Sequence, residues 1–202
     1  MQNHFARIGV ALVLALSLPL AGCCDQCDQD GTGGGPTMIM TTKTTTTTTI
    51  TDIPGPSAGA RILAVAGSGV VGEATFTTLG EQVTLTVMVE NALEGEHGIH
   101  IHEIGDCGQD GTAAGEHWNP TGALHGRFGS GDFHLGDIGN ITVGPDGRGE
   151  LELTTDLWTV ADGSGTDVLN HAIILHEHQD DYVTQPSGNS GGPIACGVIA
   201  AK

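Results

Sequence analysis

The clearest pattern along the chain is an alternation of two. Val83, Leu85, Val87 and Val89 are interleaved with Thr84, Thr86, Met88 and Glu90. In an extended segment that places four apolar side chains on one face and a mostly polar set on the other. Such a strand has one face in a core and one in water. Shorter runs of the same kind occur at 62–66, 70–76, 99–102, 149–154 and 172–176. Asp146-Gly147 stands between Ile141-Thr142-Val143 and Glu150-Leu151-Glu152-Leu153, and an Asp-Gly pair between two such runs predicts a hairpin. No long stretch repeats its apolar residues at helical spacing. These elements predict an all-β domain of short antiparallel strands, arranged as a sandwich or flattened barrel.

The pattern breaks in two places. Between His102 and Asp137 the alternation dissolves into a long glycine-rich loop, and long ordered loops in compact domains usually have a functional or covalent reason. At the other end, Arg7 precedes an apolar run over 8–20 that closes in Leu20-Ala21-Gly22-Cys23. That run is short for a bilayer span and the right size for a signal-peptide core. Its end resembles the bacterial lipoprotein signal, which implies removal of residues 1–22 and lipidation of Cys23. The next residue is Cys24 and not aspartate, so nothing here specifies retention at an inner membrane. Residues 23–59 are predicted to be a disordered tether: Gly31 to Pro36 cannot pack a core, and the tract through Thr49 is threonine-rich. Pro54-Gly55-Pro56 then punctuates the start of the folded part, set at residues 60–202. Within the tether, Cys24-x-x-Cys27 with Met38 and Met40 is either a local disulfide, idle thiols or a transient copper site. The expected location is the cell envelope, on a periplasmic or outer-surface face, with the membrane reached through the lipid alone.

Composition narrows the function. The chain has 202 residues with 33 glycines and 3% aromatics, enough for one buried domain and a tail. Six Lys and Arg face 24 Asp and Glu, for a formal charge of −18. Nucleic acid is thereby excluded as a partner, because phosphate binding needs clustered cations. Attraction to an anionic lipid surface is excluded on the same ground.

Nine of the ten histidines lie in the folded part. His100 and His102 are two apart on a predicted strand, so both imidazoles leave one face while Ile99 and Ile101 leave the other. His117, His125 and His134 are spread along the loop, Asp137 follows three residues after the last, and His176 ends an apolar strand. Imidazoles alone suit copper or zinc, and three imidazoles joined by a carboxylate suit zinc. In an exported domain Cys107 and Cys196 are expected to pair, two separate buried thiols being the alternative.

The order and spacing of these residues resemble the copper–zinc superoxide dismutases. The resemblance runs through Gly98-Ile99-His100-Ile101-His102-Glu103-Ile104-Gly105-Asp106, Gly115-Glu116-His117-Trp118-Asn119-Pro120 and His125-Gly126. It continues through His134-Leu135-Gly136-Asp137-Ile138-Gly139-Asn140 and Leu175-His176-Glu177 with Asp180-Asp181, to Ala195-Cys196-Gly197-Val198-Ile199. It covers about 60–202. It implies a Greek-key flattened barrel with long metal-binding and disulfide loops. It implies copper held by His100, His102, His117 and His176, and zinc held by His117, His125, His134 and Asp137, with His117 bridging the two and acting as the catalytic proton carrier. Asp180 matches the carboxylate that hydrogen-bonds one histidine of each metal, and Cys107 with Cys196 matches the disulfide. The implied reaction is dismutation of superoxide to oxygen and hydrogen peroxide, protecting the cell envelope. A homodimer is among the assemblies the family forms.

One position departs from the family. Three residues before Cys196, where the family carries an anion-guiding arginine, this chain has Pro193, which has neither a guanidinium nor a backbone donor. From residue 60 on, Arg61, Arg127, Arg148 and Lys202 are the only Lys or Arg, against twenty Asp and Glu. The family is known for electrostatic steering of its substrate, so a slower enzyme is expected here. A noncatalytic copper- and zinc-binding envelope lipoprotein on the same scaffold is the alternative that Pro193 feeds. Of the remaining histidines, His97 is expected to brace the loop and His171 to pack. His178 is expected to stay outside the ligand set, and Arg127 to serve a loop or surface role.

Overall fold

A computed structural model describes residues 54–202. The described chain forms β1 (Pro54–Ala64), β2 (Val71–Leu79), β3 (Gln82–Glu90), β4 (Gly95–His102), β5 (Gly139–Val143), β6 (Gly149–Thr155), β7 (Ala172–His176), β8 (Pro193–Val198) and β9 (Ala200–Ala201). All strand pairs are antiparallel. The order β2-β3-β6-β5-β4-β7-β8-β1, with β1 also on β2, closes eight strands into a barrel, and β9 extends β1. Closure removes the unpaired edges that an open sheet would expose. The connection from β3 to β4, which passes over β6 and β5, is the Greek-key step.

The period-two segments behave as their alternation requires. On β3, Val83, Leu85, Val87 and Val89 are buried, and the hydroxyls of Thr84 and of Thr154 on β6 meet at 2.9 Å on the outer face. On β4, Ile99 and Ile101 are fully buried in the barrel core with Phe76, Leu85, Ile141 and Leu175. The Asp146-Gly147 hairpin joins β5 to β6, with Gly147 at φ 75° and the Asp146 carboxylate accepting from Arg148 N at 3.2 Å. Trp158 closes one side of the core, 6.0 Å edge-on to Phe76 and 5.3 Å from Phe128.

The folded part begins earlier than residue 60. Residues 54–59 belong to β1, and Ala58 is fully buried, paired with Phe76 on one side and Ala201 on the other. Proline and glycine hide this from any side-chain pattern, because the segment is held by backbone pairing. Residues 1–53 lie outside the described part, and with them the signal peptide, Cys23, Cys24, Cys27, Met38, Met40 and most of the expected tether.

The long loop is ordered by covalent and backbone ties. Cys107 is disulfide-bonded to Cys196 on β8, with 5.7 Å between Cα atoms across a separation of 89 residues. The short 3-10 segment Gln109–Ala114 packs beside it. Below the histidines, Trp118 N donates to Ile101 O at 2.8 Å, Gly136 N to Trp118 O at 3.0 Å and Ile101 N to Gly136 O at 2.9 Å. A Cβ on residue 136 would collide with Ile101 O, so only glycine lets the loop lie this close to β4. Trp158 Nε1 ties the same turn down by donating to Leu135 O at 2.9 Å.

Candidate metal centre

β4 delivers His100 and His102 to the outer barrel face, beneath the loops of 103–138 and 177–192, and β7 ends in His176 beside them. The long loop brings His117 over the pair. These four imidazoles form one group, and His117 with His125, His134 and Asp137 forms a second, the ligand atoms of each group lying within 4.8 Å of one another. All seven residues are buried. A barrel wall made for apolar packing thus carries its polar cluster between wall and loops.

Hydrogen bonds decide which nitrogen of each ring is free. His100 Nε2 donates to Asp180 Oδ2 at 2.9 Å, leaving Nδ1 buried with no partner. His102 Nδ1 donates to Gly115 O at 2.8 Å and His176 Nδ1 to Gly191 O at 3.0 Å. Their Nε2 atoms, each then without a proton, face one another at 3.3 Å. Two lone pairs at that distance repel unless a cation lies between them. His117 Nε2 is also buried and unpartnered.

The second group has the same unfinished character. Asp137 Oδ2 accepts from the backbone N–H of Gly126 at 3.0 Å and of His134 at 2.8 Å. Its Oδ1 is 2.7 Å from His117 Nδ1, 3.1 Å from His125 Nδ1 and 3.2 Å from His134 Nδ1. The last two nitrogens lack the alignment of a hydrogen bond. One oxygen and three ring nitrogens therefore converge on a common point. Asp180 Oδ1 accepts from His125 Nε2 at 3.0 Å, so a single carboxylate orients one imidazole of each group. Asn140 fixes Asp180 in turn, donating to its carbonyl at 2.9 Å and accepting from its N–H at 2.7 Å.

Proton affinities follow from this packing. Burial pushes His100 well below the ordinary imidazole value, His102 down to about 3 and His176 down to about 4, and the neighbouring imidazole of His117 pushes each the same way. Burial also opposes charge on His125, but the carboxylates of Asp137 and Asp180 outweigh it and raise the group to about 9. Asp137 and Asp180 lie well below the carboxylate range: burial works against their charge, and the imidazole and backbone donors around them overcome it.

All seven expected ligand positions are brought together, and Asp180 hydrogen-bonds one histidine of each group. His97 is the expected brace: Nδ1 is 2.9 Å from His176 O and Nε2 3.0 Å from Leu93 O. His171 packs 4.4 Å from Trp118 and donates to Glu103 O at 2.7 Å. His178 is exposed and outside both groups. Arg127 stacks 3.9 Å over the Tyr182 ring. Two residues with structural duties carried no assignment from sequence, Asn140 and Gln185. The Gln185 amide clamps the His125 peptide, accepting from its N–H and donating to its carbonyl, both at 2.9 Å.

The sequence profile of the family described as copper/zinc superoxide dismutase (SODC) matches residues 70–199. A superoxide dismutase [Cu-Zn] of Deinococcus radiodurans is 37% identical over 163 residues, covering 74% of this chain and 87% of that protein. The chain belongs to the copper/zinc superoxide dismutase family. A copper chaperone for superoxide dismutase of Rattus norvegicus is 34% identical over 150 residues, 70% of this chain and about half (53%) of that protein.

The protein is accordingly an oxidoreductase of this family, with copper and zinc as its cofactors and superoxide as its substrate. The donor sets fit those metals on their own chemistry. Unpartnered ring nitrogens among four imidazoles suit copper, and three imidazoles with a carboxylate suit zinc. A cleft of about 280 Å³ opens onto the all-imidazole group, lined by His102, His117 and His176 with Thr112, Glu116, Ser187 and Pro193.

Proposed function

We propose that His100, His102, His117 and His176 hold copper, that His117, His125, His134 and Asp137 hold zinc, and that the protein dismutes superoxide in the cell envelope as a lipoprotein anchored through Cys23. The observation carrying this reading is that His117 belongs to both donor groups, with Nδ1 toward Asp137 and Nε2 buried and unpartnered. When bound, copper supplies the one-electron couple by which two superoxide ions and two protons become oxygen and hydrogen peroxide. The chain supplies position and protons. Asp180 fixes the tautomers of His100 and His125, and the Gly115 and Gly191 carbonyls fix those of His102 and His176. His117 is the catalytic residue: its Nε2, beside the cleft, holds a proton and passes it to the reduced oxygen species. Asp137 keeps the ring facing both groups throughout.

Pro193 supports the finer part of the proposal. It pairs with His176 across β7 and β8 and lines the cleft, so the place of the family's guiding arginine has no charge. Turnover is therefore slowed while ligation is complete. Pulse radiolysis of the metal-loaded full chain tests this, with a Pro193→Arg variant beside it. Slow turnover accelerated by Pro193→Arg is the expected result. Absence of turnover in both, with copper bound, would leave the noncatalytic copper- and zinc-binding lipoprotein, the reading toward which Pro193 and the similarity to a copper chaperone point. Location is tested by detergent phase partitioning. The parent should enter the detergent phase and Cys23→Ala the aqueous phase; equal partitioning would exclude the anchor.

A further inference from the structure

The described part has four Lys and Arg residues, and the structure accounts for each away from the cleft. Arg61 lies on the barrel wall in a groove with Val71 and Glu73. Arg127 is stacked on Tyr182. Arg148 is 3.2 Å from Glu90, and Lys202 is 2.8 Å from Glu73. Apart from the metals and the imidazoles that would hold them, the one charged group lining the cleft among the described residues is a carboxylate: Glu116, next to the shared ligand His117, is exposed and lines it. Asp110 and Glu177 stand behind Pro193, around the adjoining cavity that shares Thr112 and Pro193 with the cleft.

We infer that Glu116 sets the anion affinity of this cleft, and that the field at its mouth opposes superoxide instead of guiding it. The inference rests on the dismutase reading only for its kinetic half. A unit charge about 4–8 Å from an approaching anion in aqueous surroundings changes its local concentration by about two- to five-fold. Salt screens that repulsion, since the Debye length falls from about 30 Å at 0.01 M to about 8 Å at 0.15 M ionic strength. Steering enzymes slow down as salt is added; this one speeds up.

The test uses the copper- and zinc-loaded full chain and two readouts. Superoxide consumption by pulse radiolysis should rise about 1.5-fold between low and physiological ionic strength. Glu116→Gln should raise the low-salt rate about two- to five-fold and flatten the salt dependence. Azide, titrated into the oxidised protein and followed by its visible charge-transfer band, should bind about 1.5-fold more tightly with added salt and about two- to five-fold more tightly in Glu116→Gln. Glu152→Gln, on the exposed face of β6, serves as control and should leave both readouts unchanged. A rate that falls with salt, or azide binding indifferent to Glu116→Gln, would overturn the inference. Absent turnover with azide binding still following salt and Glu116 would sink the dismutase reading and uphold this one.

Discussion

Asp180 accepts from His100 with one oxygen and from His125 with the other, at 2.9 and 3.0 Å. Replacing it with alanine removes both acceptors at once. Both imidazoles then lose their enforced tautomer. Asp180→Ala is expected to weaken both metals together, by about 10- to 100-fold each, the usual effect of losing such a partner. Competition against chromophoric chelators for each metal checks this, and loss confined to one metal would contradict the shared role. The same residues give the metal-free protein a pH signature. His102 and His176, at about 3 and about 4, bind fewer protons folded than unfolded, so the stability they contribute is present above 6.5 and lost as pH falls toward those values. His125, raised to about 9, does the reverse: its contribution is present below 6.5 and lost as pH rises through 9. The urea midpoint of the metal-free protein should therefore peak near pH 6.5 and decline on both sides. A midpoint still climbing at pH 9 would show that His125 is not held by its two carboxylates.

At the scale of elements, the loop over the metals is ordered by one covalent tie and by backbone lacing. Serine at both Cys107 and Cys196 opens a cross-link spanning 89 residues, which on the chain-entropy account costs about 4 kcal/mol. Urea unfolding of the metal-free double variant should show a loss of that size. Limited proteolysis should cut between 103 and 116 before the barrel. Strands such as β3 were legible in the sequence because alternation is a side-chain signal, and the histidines with Asp137 stood out as a candidate metal cluster by residue type, their division between two metals coming from the family resemblance. The start of β1 was not, since Pro54 to Gly59 is held by backbone pairing to β2 and β9. Asn140 and Gln185 were hidden for a related reason. Each satisfies the main chain of a segment 40 or 60 residues away, and a polar side chain serving distant backbone leaves no local pattern.

At the scale of the whole molecule, acidity and metal binding are coupled. From residue 60 on, four cationic side chains stand against twenty acidic ones, and like charges destabilise a compact state by self-repulsion. Two divalent cations relieve part of that and supply what the converging nitrogens and Asp137 Oδ1 lack. Folding and metal binding are then linked: at metal concentrations about 1,000 times Kd each site adds about 4 kcal/mol. With about 2–4 °C per kcal/mol for a domain of this size, removing both metals should lower Tm by about 15–30 °C. Calorimetry before and after chelation measures it. Zinc alone should restore part of the loss, because Asp137 and three imidazoles are completed while the other group stays empty. Added salt should raise the Tm of the metal-free protein more than that of the loaded one, since it screens a larger uncompensated charge. Equal salt responses in the two forms would mean that the repulsion is spread over the barrel surface and that the metals stabilise by ligation alone.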